Sequence, residues 1–337
     1  MILIDAVYIN NSGGKILLEY LIENLEKTNL QFFYLLDYRV KNNLFNIKKS
    51  NKIRYINNGW YSRLKFYYKN NIKFSLIFCF GNIPPPIKTN TKTYTYFHQF
   101  LYFEKRLNLY WLDYFKLFFK KIYLYFLKNN TNYWVVQTNE VKNKLLLNFK
   151  CIENNILVIP FYPKIIPKLH VVKLKNTFFY PSTGYVYKNH INLISAFVKF
   201  YNEYKIGELH ITISNDFKDL IDVISGYQKD GYPIINHGFI DREKLFAIYF
   251  FSEYLIYPSF TESFGITILE AIDYQCSVIA ADLPYTYAVC NPSLVFNPYS
   301  IDSIYKTLKK VLTIKLNKSY KTVDDEIINL MNIFKYV

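Results

Sequence analysis

Two glutamates eight residues apart, Glu262 and Glu270, lie in the run Tyr257 to Asp282, YPSFTESFGITILEAIDYQCSVIAAD. The run reads strand, loop, helix, turn, strand, with Glu262 in the loop and Glu270 inside the helix. The pattern predicts a helix that begins near Phe264 or Gly265, with Ser263 as its cap. Its first backbone N–H groups are unpaired and lie at the positive end of the helix dipole, so a phosphate is a suitable guest there. Gly265 lets a ligand approach the backbone closely. Glu270 sits about two turns further on, ~10 Å away at ~1.5 Å of rise per residue, so one extended ligand can engage both carboxylates. On spacing alone, a loop glutamate and a helix-face glutamate are usually just solvated.

Other residues carry chemical capacity at element ends. Lys188 stands at a helix start in Tyr180 to Phe197, YPSTGYVYKNHINLISAF. Asn10, Asn11, Ser12, Gly13, Gly14 and Lys15 form a glycine-containing turn between a strand and a helix, neither G-x-G-x-x-G nor a P-loop. His98 closes another strand, a position where an isolated histidine is commonly a hydrogen-bonded structural residue. His237 to Ile240 form a further loop. The four cysteines (Cys79, Cys151, Cys276, Cys290) lack the close pairs of a zinc site and read as reduced packing residues. With no D-x-D sequence to hold a cation, neither a metal nor a cofactor is expected.

Taken whole, the string Pro258, Ser259, Glu262, Phe264, Gly265, Glu270, Ala271 resembles the donor site of the family-4 glycosyltransferases, P-S-x-x-E-x-F-G-x-x-x-x-E-A. The resemblance implies a retaining glycosyltransferase that uses a nucleotide-diphosphate sugar. Glu262 would then contact the transferred sugar, Ser263, Phe264 and Gly265 would hold sugar and phosphate, and Glu270 would bind the ribose. Lys188 falls on the family's phosphate-binding lysine, Ile240 on its base-contacting position, Gly13 and Gly14 on its glycine loop, and His98 on its sugar-facing histidine. Ser182 and Thr183 replace the family's usual Gly-Arg, removing one phosphate cation. Gln275 and Ser277 replace its Gly and Pro after the main helix, so a left-handed cap there costs more.

These residues need a scaffold, and the alternation of short apolar runs with helical patterns supplies one. MILIDAVYI, QFFYLLDY, KIRYI, FSLIFCF, TYTYF and YWVVQT form a first series of strands, and NILVIP, NTFFYPS, ELHITIS, IINHGF, YLIYPS and SVIAAD a second. Two tandem α/β units follow. With the resemblance, the expectation is a GT-B architecture of two Rossmann-like domains with mainly parallel sheets facing a cleft. The domains span 1–162 on the acceptor side and 177–312 on the donor side, with a linker at 163–176. A helical segment at 313–337 would cross back to the first domain. A helix over 105–128 places Trp111, Phe115, Phe118, Phe119, Ile122 and Phe126 on one face and lysines mostly opposite. That face is expected either to pack on its own domain or, less often, to rest on an anionic bilayer.

The chain of 337 residues is 51% hydrophobic, which fits a folded protein, and its net charge of +15 reflects either a coding bias toward Lys, Asn, Ile, Tyr and Phe or selection for anionic partners, a basic surface attracting anions in both cases. No apolar run reaches the ~18 uncharged residues of a membrane span, and MILIDAVYIN reads as a core strand and not a secretion signal. A cytoplasmic protein, peripheral at most on the membrane, is therefore expected. Its partners would be a nucleotide-diphosphate sugar and a glycan or lipid-linked acceptor, in surface polysaccharide synthesis. Nucleic acid is not expected, because the basic residues are spread over both halves with no recognisable module. A catalytically idle nucleotide-sugar binder of the same fold is the remaining alternative.

Overall fold

The computed structural model describes residues 1–42, 45–70, 73–103, 111–167 and 170–335, without the side chains of 111–113 and 116. The chain forms two compact units. The first runs to Pro163 and regains Asp324–Val337, and the second is Lys164–Val323.

In the first unit the elements are β1 (Ile2–Ala6), α1 (Ser12–Glu26), β2 (Phe32–Asp37), β3 (Lys52–Ile56), α2 (Trp60–Asn70), β4 (Leu76–Cys79), β5 (Lys92–Tyr96), α3 (Trp111–Leu127), β6 (Tyr133–Val136), α4 (Asn139–Phe149) and β7 (Ile156–Val158). The strands pair in parallel in the order β3-β2-β1-β4-β5-β6-β7. β1 is buried along its whole length, as a central parallel strand covered on both faces is. Its one charge, Asp5, accepts from Arg63 of α2 at 2.8 Å and from the Tyr67 hydroxyl at 2.7 Å. Arg63 also donates to the carbonyls of Pro84 and Ile83. The cost of burying this pair is thus met by a full set of partners. Ile156–Val158 pairs with β6 in this first sheet, although the alternation of runs groups it with the second series. A three-residue strand carries too little pattern to show its sheet.

The second unit holds β8 (Leu174–Tyr180), α5 (His190–Tyr204), β9 (Glu208–Ile211), α6 (Lys218–Lys229), β10 (Ile234–Asn236), α7 (Arg242–Phe251), β11 (Ser252–Tyr257), α8 (Ile266–Asp273), β12 (Ser277–Ala281), α9 (Pro284–Tyr287), β13 (Cys290–Asn291), β14 (Leu294–Phe296), α10 (Ile301–Thr313) and β15 (Tyr320–Lys321). Its main sheet is parallel, in the order β10-β9-β8-β11-β12-β14. In both sheets the strand order reverses beside the first strand. Ligands of open α/β sheets bind at the carboxyl ends of the strands flanking such a reversal. The last helix, α11 (Ile327–Lys335), belongs to the first unit. There Phe334 packs edge-on against Phe32 and Phe78.

α3 corrects an expectation. Residues 105–110 lie outside the described residues, as does the Trp111 side chain. Phe115, Phe118, Phe119, Ile122 and Phe126 are exposed, Phe126 to 75%, and Tyr114 and Tyr125 join them. The buried face carries Leu124 and Leu127, with Leu117 packed against the core. The helix has two apolar faces, and the leucine face is the one that meets the unit's core. None of the described helices is long and apolar enough to cross a membrane.

Candidate functional site

In the second unit, the loops after β8 and β11 meet at the strand-order reversal. Lys188 ends a short 3-10 turn after β8, and its ammonium donates to Glu262 Oε1 at 2.5 Å, both side chains being largely buried. Several bonds fix this meeting. Phe260 N donates to the Tyr187 carbonyl at 2.9 Å. The Tyr180 hydroxyl bonds the Lys188 carbonyl and the hydroxyl of fully buried Ser259. Tyr285 OH donates to the Ser259 carbonyl at 2.7 Å. Asn189 adopts a left-handed conformation (φ 62°) and its amide donates to the carbonyls of Pro258 and Pro298. Asparagine tolerates that conformation better than most residues. Burial first, and then the negative charge of Glu262, raise the pKa of Tyr180, Tyr187, Tyr257 and Tyr285. All four therefore stay neutral around the carboxylate. His190, at the start of α5, is buried against Tyr180, and burial followed by the Lys188 charge pushes its pKa down to about 3. It adds no charge at neutral pH.

α8 begins at Ile266, and its cap is Gly265 (φ 77°), with no side-chain cap bond. The expected cap at Ser263 is thus not formed. The chain enters the helix through a left-handed residue, which glycine adopts freely. No side chain therefore stands at the cap position. Phe264 is buried. Glu270 lies on the buried face of α8, where Arg242, the first residue of α7, donates to Oε1 at 2.9 Å and the Tyr249 hydroxyl to Oε2 at 3.4 Å. Burial raises the Glu270 pKa, and Arg242 works against that rise. Arg242 Nη1 and Thr261 Oγ1 are buried with no hydrogen-bond partner. Unsatisfied polar atoms of this kind are uncommon and call for a ligand or water. Ile240 is half-buried in the loop before α7, and neighbouring Phe239 is 89% exposed.

The first unit assembles its own group at the reversal beside β1. Gly13 and Gly14 lie in the first turn of α1. A Cβ on Gly14 would come within 3.1 Å of the His98 ring, so a larger residue there would press that ring out of place by a few tenths of an ångström. Asn82, left-handed at φ 68°, accepts from His98 N at 2.6 Å. That bond turns its Nδ2 toward His98 Nε2, 3.3 Å away. Burial pushes the His98 pKa down to about 4, so the ring is neutral and its Nε2 lone pair faces the amide donor. Among the described residues no cluster of acids, histidines and cysteines could hold a metal.

The profile of the family "Glycosyl transferases group 1" matches residues 162–326. The second unit thus carries a group 1 glycosyl transferase domain. No curated protein matches the chain's sequence. Among solved structures, the glycosyltransferase resembles a sucrose-phosphate synthase from Thermosynechococcus elongatus (TM-score 0.70, 14% identity, 92% of this chain and 89% of that one). It also resembles HepE from Anabaena in complex with UDP and glucose (TM-score 0.66, 11% identity, 93% and 89%). A third is the apo form of the lipopolysaccharide outer core galactosyltransferase WaaB (TM-score 0.62, 15% identity, 93% and 89%). At these identities the likeness is one of fold, and that fold is GT-B.

The glycosyltransferase joins several residues singled out from its sequence. Lys188 touches Glu262, Gly265 caps the helix that carries Glu270, and Gly14 abuts His98. The sequence reading missed Arg242, Asn82 and the tyrosines around Glu262. Asp241, which caps α7 through Lys244 N, marks where that helix starts. No spacing rule, however, links its first residue to a glutamate 28 positions on.

Proposed function

We propose that this glycosyltransferase is a retaining, metal-independent enzyme that transfers a sugar from a nucleoside-diphosphate donor to a glycan or lipid-linked acceptor of a surface polysaccharide. The observation that carries the donor reading is the contact of Lys188 with Glu262 at the carboxyl ends of β8 and β11, three residues before the glycine that opens α8. As the bond from the sugar C1 to the phosphate oxygen breaks, negative charge grows on the diphosphate. Preorganised positive groups stabilise that charge most where it develops. Lys188 and the first N–H groups of α8 do so here, while the Glu262 carboxylate supports the electron-poor sugar or accepts a sugar hydroxyl. The acceptor oxygen bonds C1 on the face the diphosphate leaves, and its proton passes to the departing phosphate oxygen. Phe264 and Ser263 flank the sugar and phosphate, Glu270 accepts from the ribose, and Ile240 contacts the base. Gly13 and Gly14 admit the donor close to the backbone, and His98 offers a neutral ring to the sugar.

That HepE was solved with UDP and glucose, and that WaaB acts on the lipopolysaccharide outer core, supports a nucleotide sugar and a surface glycan as partners. The exposed aromatic face of α3, the exposed Lys120 beside it and the net charge of +15 support a place on an anionic, cytoplasmic membrane face. A thermal-shift panel of UDP-, GDP- and ADP-sugars tests the donor reading. A donor at 100 times its Kd stabilises the native state by ~2.7 kcal/mol. A panel without a single shift would refute it.

A further inference from the structure

A cleft of about 490 Å³ opens in the first unit where the carboxyl ends of β2 and β3 meet α2. This volume falls in the range of small-molecule sites, ~300–1,000 Å³. Arg54 from β3 and Lys65 and Lys69 from α2 line it, with Ser62, Tyr55 and Tyr38. The cleft is separate from the group formed by Gly14, Asn82 and His98, which sits at the β1 and β4 ends of the same sheet. No acidic residue lines it. Among the described residues none of the three cations forms an ion pair. Asp37, which precedes Tyr38, is held by Arg39 through two bonds of 2.9 and 2.7 Å.

Lys65 and Lys69 stand one turn apart on α2, a spacing at which like charges repel. Three cations around one cleft with no counter-charge are stabilised by an anion, and the Arg54 guanidinium presents the fork that carboxylate and phosphate groups fit. The remaining walls suit a sugar. Ser62 and Tyr55 are half-buried hydroxyls, and burial raises the Tyr55 pKa so that it stays a neutral donor. Tyr38 is 52% exposed and offers a flat apolar ring face.

We propose that this cleft binds an anionic sugar residue of the acceptor, one that carries a carboxylate or a phosphate, with Arg54, Lys65 and Lys69 around the anion and Tyr38 against the sugar ring. The proposal rests on the reading that the chain glycosylates a glycan, and it makes that glycan acidic.

Calorimetric titration of the full chain tests it with sugar pairs that differ only in the anion: tetragalacturonate against tetragalactose, and glucose 6-phosphate against glucose. In at least one pair the acidic member is expected to bind tenfold or more tightly, and less so as salt rises. Combined Arg54→Gln, Lys65→Gln and Lys69→Gln substitution should erase that preference while nucleotide binding, read in the same protein, is unchanged. Inorganic phosphate alone should compete with the acidic sugar only weakly. Equal binding within both pairs, or an acid preference that survives the triple substitution, overturns the proposal. So does full competition by free phosphate. Anionic vesicles or single-stranded DNA bound through the three cations, with no acid preference among sugars, would also overturn it. A chain that prefers acidic sugars but binds no nucleotide would refute the donor reading and leave the cleft standing.

Discussion

At Glu270, burial and charge act in opposite directions. Burial lifts its pKa above the ordinary 4.5 while Arg242 and Tyr249 pull it down, leaving a net rise. A carboxyl whose folded pKa is raised holds its proton more tightly in the native state, so its contribution favours folding at low pH. That contribution is lost as pH rises from the unfolded value through the folded one. Arg242→Ala removes the opposing cation and widens the window. Its thermal-stability deficit should therefore grow between pH 5 and pH 8, and a deficit constant across that range would show that Arg242 does not hold the carboxylate ionised. Such pairs define what the sequence reveals at this scale. Glu262, Gly265 and Glu270 lie within one continuous string, and Lys188 in another, so their types and order expose them. Arg242 meets Glu270, and Asn82 meets His98, only through the fold.

Among the elements, the turn after α8 stores strain in Gln275, an exposed residue held at φ 61°. The left-handed conformation costs a non-glycine residue ~1–2 kcal/mol, and glycine returns ~0.5–1 kcal/mol of that as chain entropy. Gln275→Gly should thus stabilise the second unit by ~0.5–1 kcal/mol, read as a higher urea midpoint at unchanged slope. A lower midpoint would contradict the strain. This cost was legible because the resemblance puts a glycine there. The face of α3 was not. Its period and length show in the sequence, but both sides of the helix are apolar, and only packing shows that Leu124 and Leu127 turn inward while Phe118, Phe119 and Phe126 turn out. If that outer face lies on lipid, replacing those three phenylalanines by serine should abolish co-flotation with anionic vesicles at low salt. Unchanged flotation would remove the membrane from the account.

Over the whole molecule, the chain returns to its first unit at the end. Glu326 N donates to the Pro160 carbonyl at 2.7 Å, and Asp325 accepts from the Tyr20 hydroxyl at 2.6 Å and from Tyr162 N at 3.2 Å. Phe334 of α11 is fully buried between Phe32 and Phe78. Phe334→Ala should destabilise the first unit by ~3–5 kcal/mol, measured as an earlier unfolding transition, and leave nucleotide affinity intact. The parallel order of both sheets was readable because alternating apolar runs and helices leave few other topologies. The two-residue strands β13 and β15 were not, since a pair that short has no periodicity. The central claim is that the second unit breaks a sugar–phosphate bond with Lys188 and Glu262. It is tested most directly by the release of nucleoside diphosphate from a panel of UDP-, GDP- and ADP-sugars, compared between the native chain, Lys188→Ala and Glu262→Gln. The account predicts slow release from at least one donor. Loss of one well-placed charged donor costs on the order of a hundredfold in rate, so Lys188→Ala should lower release by that much, and Glu262→Gln should lower it too, with circular dichroism unchanged. Release from no donor, or equal rates in all three proteins, would contradict it.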